Sequence, residues 1–378
     1  MMTYLFLLSG FILACALSMI VLPNILFVSH KKQLFDMPDA RKVHHTPVPR
    51  LGGLSFAPII MVSIFSVLGA LLCLGYLPDD CLAYLPEYLF LFSGLIILYL
   101  TGEADDLVGV SYRYKFLVQI LAAILIILSG NWIHSFSGLF GIWDVPGWIG
   151  IPATVFVIIF ITNSINLIDG IDGLASGLTI ISLVTLCALL FHDSSFVHTL
   201  LGVATIGVVV PFWFYNVFGN AHRGHKLFMG DTGSLTLGYI LSFLVIYLSY
   251  DVETPGESRP MIIAFSSLLV PMLDVIRVAF HRIRKGRNPF LPDRNHIHHK
   301  LLRAGMRKTR YVMLTIICID VLLIVLNTLL ATKINVTFII LIDVVLWTSI
   351  QLVINYYIRK NHGGPSYVPE GTEKRSAE

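Results

Sequence analysis

Charge is what this sequence has least of. Only 13% of its 378 residues are Asp, Glu, Lys or Arg, about half the share in a soluble globular domain. That scarcity argues against an ordinary water-soluble fold and gives no footing for a nucleic-acid partner. Cysteine is also sparse. Cys15, Cys73, Cys81, Cys187 and Cys318 are scattered with no CxxC pair, so neither a zinc site nor a disulfide framework is indicated. They read as small buried hydrophobes. No Lys or Arg precedes the first apolar run, Tyr4 to Val28, and a cationic stretch follows it. A cleaved signal peptide has the reverse order and is shorter, so this run reads as a true first span.

What the chain has instead is apolar length. Hydrophobic residues make up 56% of it, the mean hydropathy is +0.79, and runs of ~20 apolar residues recur, each long enough to cross a ~30 Å hydrocarbon core. The expected fold is an all-α polytopic membrane protein of about eleven transmembrane helices, near 4–28, 51–76, 87–102, 115–132, 148–166, 174–191, 197–216, 233–250, 261–281, 311–331 and 336–358. Of the 26 Lys and Arg, all but Arg259, Arg277 and Lys333 fall in the loops after odd-numbered spans or in the C-terminal tail. The positive-inside rule then puts the N-terminus outside and the C-terminus in the cytoplasm. The opposite loops are acidic or neutral, with Asp79, Asp80, Asp251, Glu253 and Glu257, and Trp132, Trp143 and Trp148 cluster around one of them, as interfacial aromatics do. Residues 1–360 are expected to form one transmembrane catalytic domain. The polar tail 361–378, with its Gly, Pro and Ser, is expected to be a disordered cytoplasmic extension.

The unusual polar residues gather on the cytoplasmic side: Arg41 to Gly53, Asp105-Asp106, Asn163 to Gly173, Asn216 with Phe228 to Asp231, and Arg282 to Arg310. Independent accidents would be spread over both faces, so convergence points to one site. Asp105-Asp106 is either a solvated loop or a pair that binds a divalent cation or accepts a proton, since close like charges raise one pKa. The stretch Asn163 to Gly173 carries two Asp-Gly steps and two Asn without a single cation. A tight turn needs one Asp-Gly, so the repetition points to function. Asp231 opens a helix between Gly230 and Gly233; it is an N-cap, or part of a metal-phosphate site at a helix N-terminus. Three His within His296–His299 are not explained by a generic basic loop. Zinc is one reading, without Cys or HExxH beside it; contacts to a diphosphate or sugar are the other. Asp274 and Arg277, i and i+3, are expected to pair, while Asp320 and Asp343 have no obvious partner.

The segments DDLVGVSYRYKFLVQ, NSINLIDGIDGLASG, FMGDTGSLTLG and PMLDVIRVAFHRIRKGRNPFLPDRNHIHHKLL, with RKVHHTPVPRLGG before them, resemble the polyprenyl-phosphate N-acetylhexosamine-1-phosphate transferases over residues 1 to 360. The HIHH form resembles the WecA/TagO-like branch; the MraY branch carries three consecutive His followed by Phe-Glu. The stretch from Asn216 to Asp231 looks longer than in the MraY-like relatives. The resemblance implies a bacterial inner-membrane enzyme that transfers GlcNAc-1-phosphate from a UDP-N-acetylhexosamine, UDP-GlcNAc, to undecaprenyl phosphate, as a first membrane step in O-antigen, enterobacterial common antigen or teichoic acid synthesis. It implies Mg²⁺, with Mn²⁺ as the alternative, on Asp231 and Asn166. Asp105 or Asp106 would deprotonate or orient the lipid phosphate, and His298 joins them as a catalytic candidate. Asn163, Asp169, Asp172 and Asn216 would line the nucleotide pocket, Lys115 and Arg50 would face phosphate, and Arg294, His296, His298 and His299 would grip the diphosphate or sugar. A homodimer is compatible with it. Two rivals remain: an MraY-like reaction on UDP-MurNAc-pentapeptide, and a multispan transporter, which would instead place charges near the midplane.

Overall fold

A computed structural model describes residues 2–35, 47–77, 79–193, 195–250, 259–286 and 295–361. In a bilayer every backbone N–H and C=O must be satisfied internally, and the apolar runs meet that demand as helices: α1 (Met2–Lys32), α2 (Phe56–Leu74), α3 (Leu85–Val108), α4 (Tyr112–Leu128), α5 (Gly147–Ile168), α6 (Leu174–His192), α7 (Phe196–Phe218), α8 (Gly230–Tyr250), α9 (Arg259–Ser266), α10 (Leu269–Arg284), α11 (Ile297–Arg303), α12 (Thr309–Leu330) and α13 (Val336–Asn361). Among the described residues nine helices are long and apolar enough to cross a membrane, or ten with the bent pair α9–α10. The protein is an all-α polytopic membrane protein.

Helix α8 sits at the centre, buried on almost every side, with α3 and α5 against it. Small residues allow the close approach, as they do between helices in lipid. A Cβ on Gly238 would lie 2.6 Å from Thr162 Cα, and one on Gly94 would meet the Tyr239 hydroxyl at 2.0 Å. That hydroxyl donates to Ala122 O at 2.9 Å, which ties α8 to α4.

Three features depart from the sequence expectation. The run 261–281 is not one straight helix, because α9 and α10 meet at 64°. Pro271 has no N–H to give Ser267 O, the carbonyl four residues earlier. Ser182 Oγ donates to that carbonyl instead, at 2.5 Å. Second, α3 continues to Val108, so Asp105 and Asp106 lie on its last turn rather than in a loop. Third, the loop between α4 and α5 holds a small antiparallel hairpin, β1 (Ser135–Leu139) and β2 (Ile142–Asp144), docked on α13 by Phe140 N donating to Thr337 Oγ1 at 2.7 Å. The Asp274–Arg277 pair forms as expected, at 2.7 Å. Asp343 finds a partner in Asn327, whose Nδ2 donates to it at 2.9 Å.

At the end of the bundle remote from the carboxylates of α3 and α8, a buried polar chain ties three helices together. His198 Nε2 lies 2.8 Å from Glu87 Oε1 and its Nδ1 lies 2.7 Å from Ser195 Oγ. Its ring stacks on Tyr247 at 3.7 Å, and His198 is wholly buried. Glu87→Gln keeps one acceptor for the imidazole but removes the carboxylate. We expect a loss of about 1 kcal/mol, read as a fall in Tm of a few degrees with kcat unchanged. An unchanged Tm would remove this chain from the stability of the bundle.

Candidate active site

Of the polar residues singled out in the sequence, those that are described meet at one end of the bundle, where α3, α5 and α7 finish and α4, α6 and α8 begin; residues 41–46 and 287–294 lie outside the described residues. Lys115, on the first turn of α4, donates to Asp105 Oδ2 at 2.7 Å and to Asp231 Oδ2 at 2.5 Å. Its ammonium therefore sits between carboxylates from α3 and α8. All three side chains remain partly accessible. Asp105 also accepts from Val110 N at 2.6 Å.

Asp106 does a different job. Its Oδ1 accepts from Asp231 N at 2.8 Å, and its Oδ2 accepts from Thr232 N at 2.9 Å and Thr232 Oγ1 at 2.7 Å. It caps α8 from a neighbouring helix, and the helix-end amides that favour an anion have found one in the protein itself. Gly230 makes this approach possible. It holds φ at +73°, and a Cβ there would lie 2.2 Å from Arg50 O and 2.5 Å from Asp106 Oδ2.

The Asp-Gly turn closes the site on its α5 side. Asn166 Nδ2 donates to Ser234 Oγ at 2.8 Å. Asn163 is spent on Gln119, to which its Nδ2 donates at 2.7 Å. Asp169 ends α5. Burial pushes its carboxyl up to about 7, with Arg50 opposing and Asp172, Asp231 and Asp106 reinforcing the rise, which also places Arg50 close to these acids. Asp172 Oδ2 accepts from Lys226 Nζ at 2.6 Å. Asn216 holds the turn to the next loop: its Oδ1 accepts from Gly173 N at 2.5 Å and its Nδ2 donates to Leu227 O at 2.8 Å.

The histidine segment reaches the same turn from the far end of the chain. His298 lies against Gly170, where a Cβ would fall 2.2 Å from its Nε2. Only 1% of His298 is exposed. Burial, then the charges of His299 and His296, hold its pKa well below the ordinary value, so at neutral pH it is an uncharged imidazole supporting the turn. His296 stacks parallel to it at 5.9 Å and is fixed by Asp274, whose Oδ2 lies 2.8 Å from His296 Nδ1. The His299 ring is 4.3 Å from that of His298. Arg294 lies outside the described residues.

Polar groups this dense at one end of a bundle, rather than at its midplane, do not fit the transporter reading. Comparison with known proteins agrees. The undecaprenyl-phosphate alpha-N-acetylglucosaminyl 1-phosphate transferase of Yersinia pestis is 30% identical over 294 residues, 76% of this chain and 75% of the relative. The probable undecaprenyl-phosphate N-acetylglucosaminyl 1-phosphate transferase of Bacillus subtilis (strain 168) is 33% identical over 298 residues, 79% of this chain and 77% of the relative. The profile of glycosyl transferase family 4 matches residues 88–249. The chain belongs to glycosyl transferase family 4.

The family match runs from α3 to α8, and so contains Asp105, Lys115, Asp169 and Asp231. The family resemblance did not reveal every member of the site. Lys226, Gln119 and Ser234 are each bonded to a residue of the site. Lys226 had a signal in the sequence, as one of two cations in the loop before Asp231. Gln119 and Ser234 had none, because a single polar residue near a helix end is common.

Proposed function

We propose that this enzyme transfers GlcNAc-1-phosphate from UDP-GlcNAc to undecaprenyl phosphate, giving undecaprenyl-diphospho-GlcNAc and UMP, at the cytoplasmic face of a bacterial inner membrane. The names of its relatives support the substrates. The observation that carries the reading is Lys115 bridging Asp105 and Asp231 where the spans end, because a lipid phosphate is held at that depth. We read eleven crossings, α9–α10 counting as one and α4 as another, with the N-terminus outside. The basic loops on the site side support that orientation.

Both substrates are anions, so the site must offset their repulsion and hold them in line. In direct attack, an oxygen of the lipid phosphate bonds to the β-phosphorus of the donor while the bond to the UMP oxygen breaks. Lys115 faces the phosphates. Asp105 is the better candidate to take a proton from the lipid phosphate, because it is partly accessible beside Lys115, whereas Asp106 is committed to capping α8. Asp231 and Asp105 offer hard carboxylate oxygens. Two partly accessible carboxylates lie together there, and Mg²⁺ is commonly bound through one or two carboxylates plus substrate phosphates. The donor set therefore suits Mg²⁺, with Mn²⁺ as the alternative. When bound, that cation would neutralise diphosphate charge, with Asp231 as its protein ligand. Asn166 would join through its carbonyl oxygen, opposite the Nδ2 it gives to Ser234. Asp169 and Asp172 would line the nucleotide pocket, with the buried Asn216 holding their turn to the next loop and not facing the nucleotide itself.

The test is a product assay with purified enzyme, lipid phosphate and a panel of UDP-sugars, UDP-MurNAc-pentapeptide included. Label in the organic phase with UMP release from UDP-GlcNAc is expected; preference for another donor would refute the substrate. A sugar-phosphate adduct trapped on Asp105 would refute direct attack.

Asp169 gives the reading a pH dependence. Its carboxyl is neutral below about 7 and charged above, so rising pH adds one negative charge to the donor pocket. The KM for UDP-GlcNAc should climb above pH 7 in the wild type, and Asp169→Asn should flatten that climb. A profile unchanged by the substitution would place Asp169 outside the pocket.

A further inference from the structure

Outside the site just described, one cavity of about 870 Å³ opens between the ends of α1 and α7 on the same side of the bundle. Its size falls in the range of small-molecule pockets. One wall is apolar, built from Leu26, Phe27, Phe214 and Phe218, and Phe27, Phe214 and Phe218 are each more than half exposed. In a chain that spans a bilayer, that wall faces lipid tails. The other end of the cavity is polar, with His30, Arg223 and His225 at its rim. Arg223 and His225 are exposed, and their side chains have no ion-pair partner among the described residues.

The rim is built rather than loose. His30 Nε2 lies 2.9 Å from Gly224 O, which pins the loop 219–226 onto α1. Gly224 holds φ at +69°, and a Cβ there would lie 2.7 Å from His30 Nε2. On the other side the Arg310 guanidinium covers the Phe218 ring at 5.1 Å and donates to Val217 O at 3.0 Å.

We propose that this cavity binds an anionic glycerophospholipid, with its phosphate on Arg223 beside His30 and His225 and its acyl chain along Leu26, Phe27, Phe214 and Phe218. Charge complementarity selects the head: a guanidinium with no ion-pair partner among the described residues binds phosphate through charge-assisted hydrogen bonds, and a zwitterionic head adds a positive choline that gains nothing there. The apolar wall selects a chain over a soluble phosphate. The occupant is not the reacting lipid, because none of Lys115, Asp105 and Asp231 lines this cavity. The proposal does not depend on the identity of the donor sugar.

The test uses the full-length protein in detergent micelles, read by native mass spectrometry with phosphatidylglycerol, phosphatidylcholine, undecaprenyl phosphate and glycerol-3-phosphate offered separately and in pairs. One phosphatidylglycerol per chain should be retained about tenfold more tightly than phosphatidylcholine, about 1.4 kcal/mol. Arg223→Glu should erase that preference, and Arg223→Gln should reduce it. Leu26→Trp, which fills the apolar wall, should weaken both phospholipids. Equal retention of the two phospholipids, or a preference unmoved in Arg223→Glu, would overturn the proposal. So would glycerol-3-phosphate competing as well as the lipid, which would mark a simple anion site. Undecaprenyl phosphate displacing phosphatidylglycerol at equal concentration would overturn it too, by making the cavity an acceptor site.

Discussion

Asp231→Asn should lower kcat by about 10³-fold with little change in Tm. The side chain and main chain of this residue serve separate purposes. Its carboxylate takes Lys115 Nζ at 2.5 Å, while its backbone N–H donates to Asp106, and that second bond survives any substitution of the side chain. The first turn of α8 therefore stays capped, and Lys115 keeps Asp105 at 2.7 Å. What is lost is one negative charge at the point where the diphosphate and its counter-cation would sit. An amide of the same shape cannot replace it, because a neutral group holds Lys115 and a bound cation more weakly, and those positive charges are what would offset the diphosphate. Asp106→Asn is the contrasting case. It puts an NH₂ where Thr232 N and Oγ1 now donate, so activity and Tm should fall together. Transfer assays and thermal unfolding of both variants separate the two roles. Near-normal turnover by Asp231→Asn would remove this residue from the chemistry.

Much of this was open to a reader of the sequence because the bilayer restricts the options. Runs of about 20 apolar residues with so little charge are long enough to cross a bilayer as helices, and the one-sided Lys and Arg are what the proposed orientation rests on. The convergence of Asp105, Asp169, Asp231 and His298 was also legible, since each is an expensive residue beside a membrane. The division of labour was not. Asp105 and Asp106 are adjacent and chemically identical, yet one faces Lys115 and the other caps a helix, because neighbouring positions on α3 point about 100° apart. The break between α9 and α10 was hidden for a related reason: Pro271 was visible, but a kinked span and a straight one share the same hydropathy. The burial of His298 depends on Gly170 lacking a side chain, a contact between residues far apart in the chain that no local pattern records.

The same logic of close approach makes Gly53→Ala a severe change. Gly53 lies just before α2, and its N–H donates to Met229 O at 2.8 Å, beside Gly52 N donating to Phe228 O at 2.9 Å and Phe228 N donating to Pro49 O at 2.8 Å. These bonds lash the chain before α2 to the chain before α8. A Cβ on Gly53 would lie 2.1 Å from Gly233 N, 2.3 Å from Gly233 Cα and 2.7 Å from Met229 O. Every one of those atoms is backbone, so no side chain can swing aside. The two segments would have to separate by more than about 1 Å to reach ordinary contact. That shift cannot be absorbed on the other flank, because Gly102 of α3 already sits where a Cβ would be 2.5 Å from Thr232 Cα. The first turn of α8 would move, and with it Asp231, Lys115 and the three bonds to Asp106. A displacement of about 1 Å near a reacting group costs about 10²-fold in rate, so kcat should fall by that factor and Tm should fall with it. Gly69→Ala, on α2 with nothing within 4 Å of its Cβ, should leave both unchanged. Wild-type turnover by Gly53→Ala would show that the tight crossing of these two segments does not set the position of Asp231.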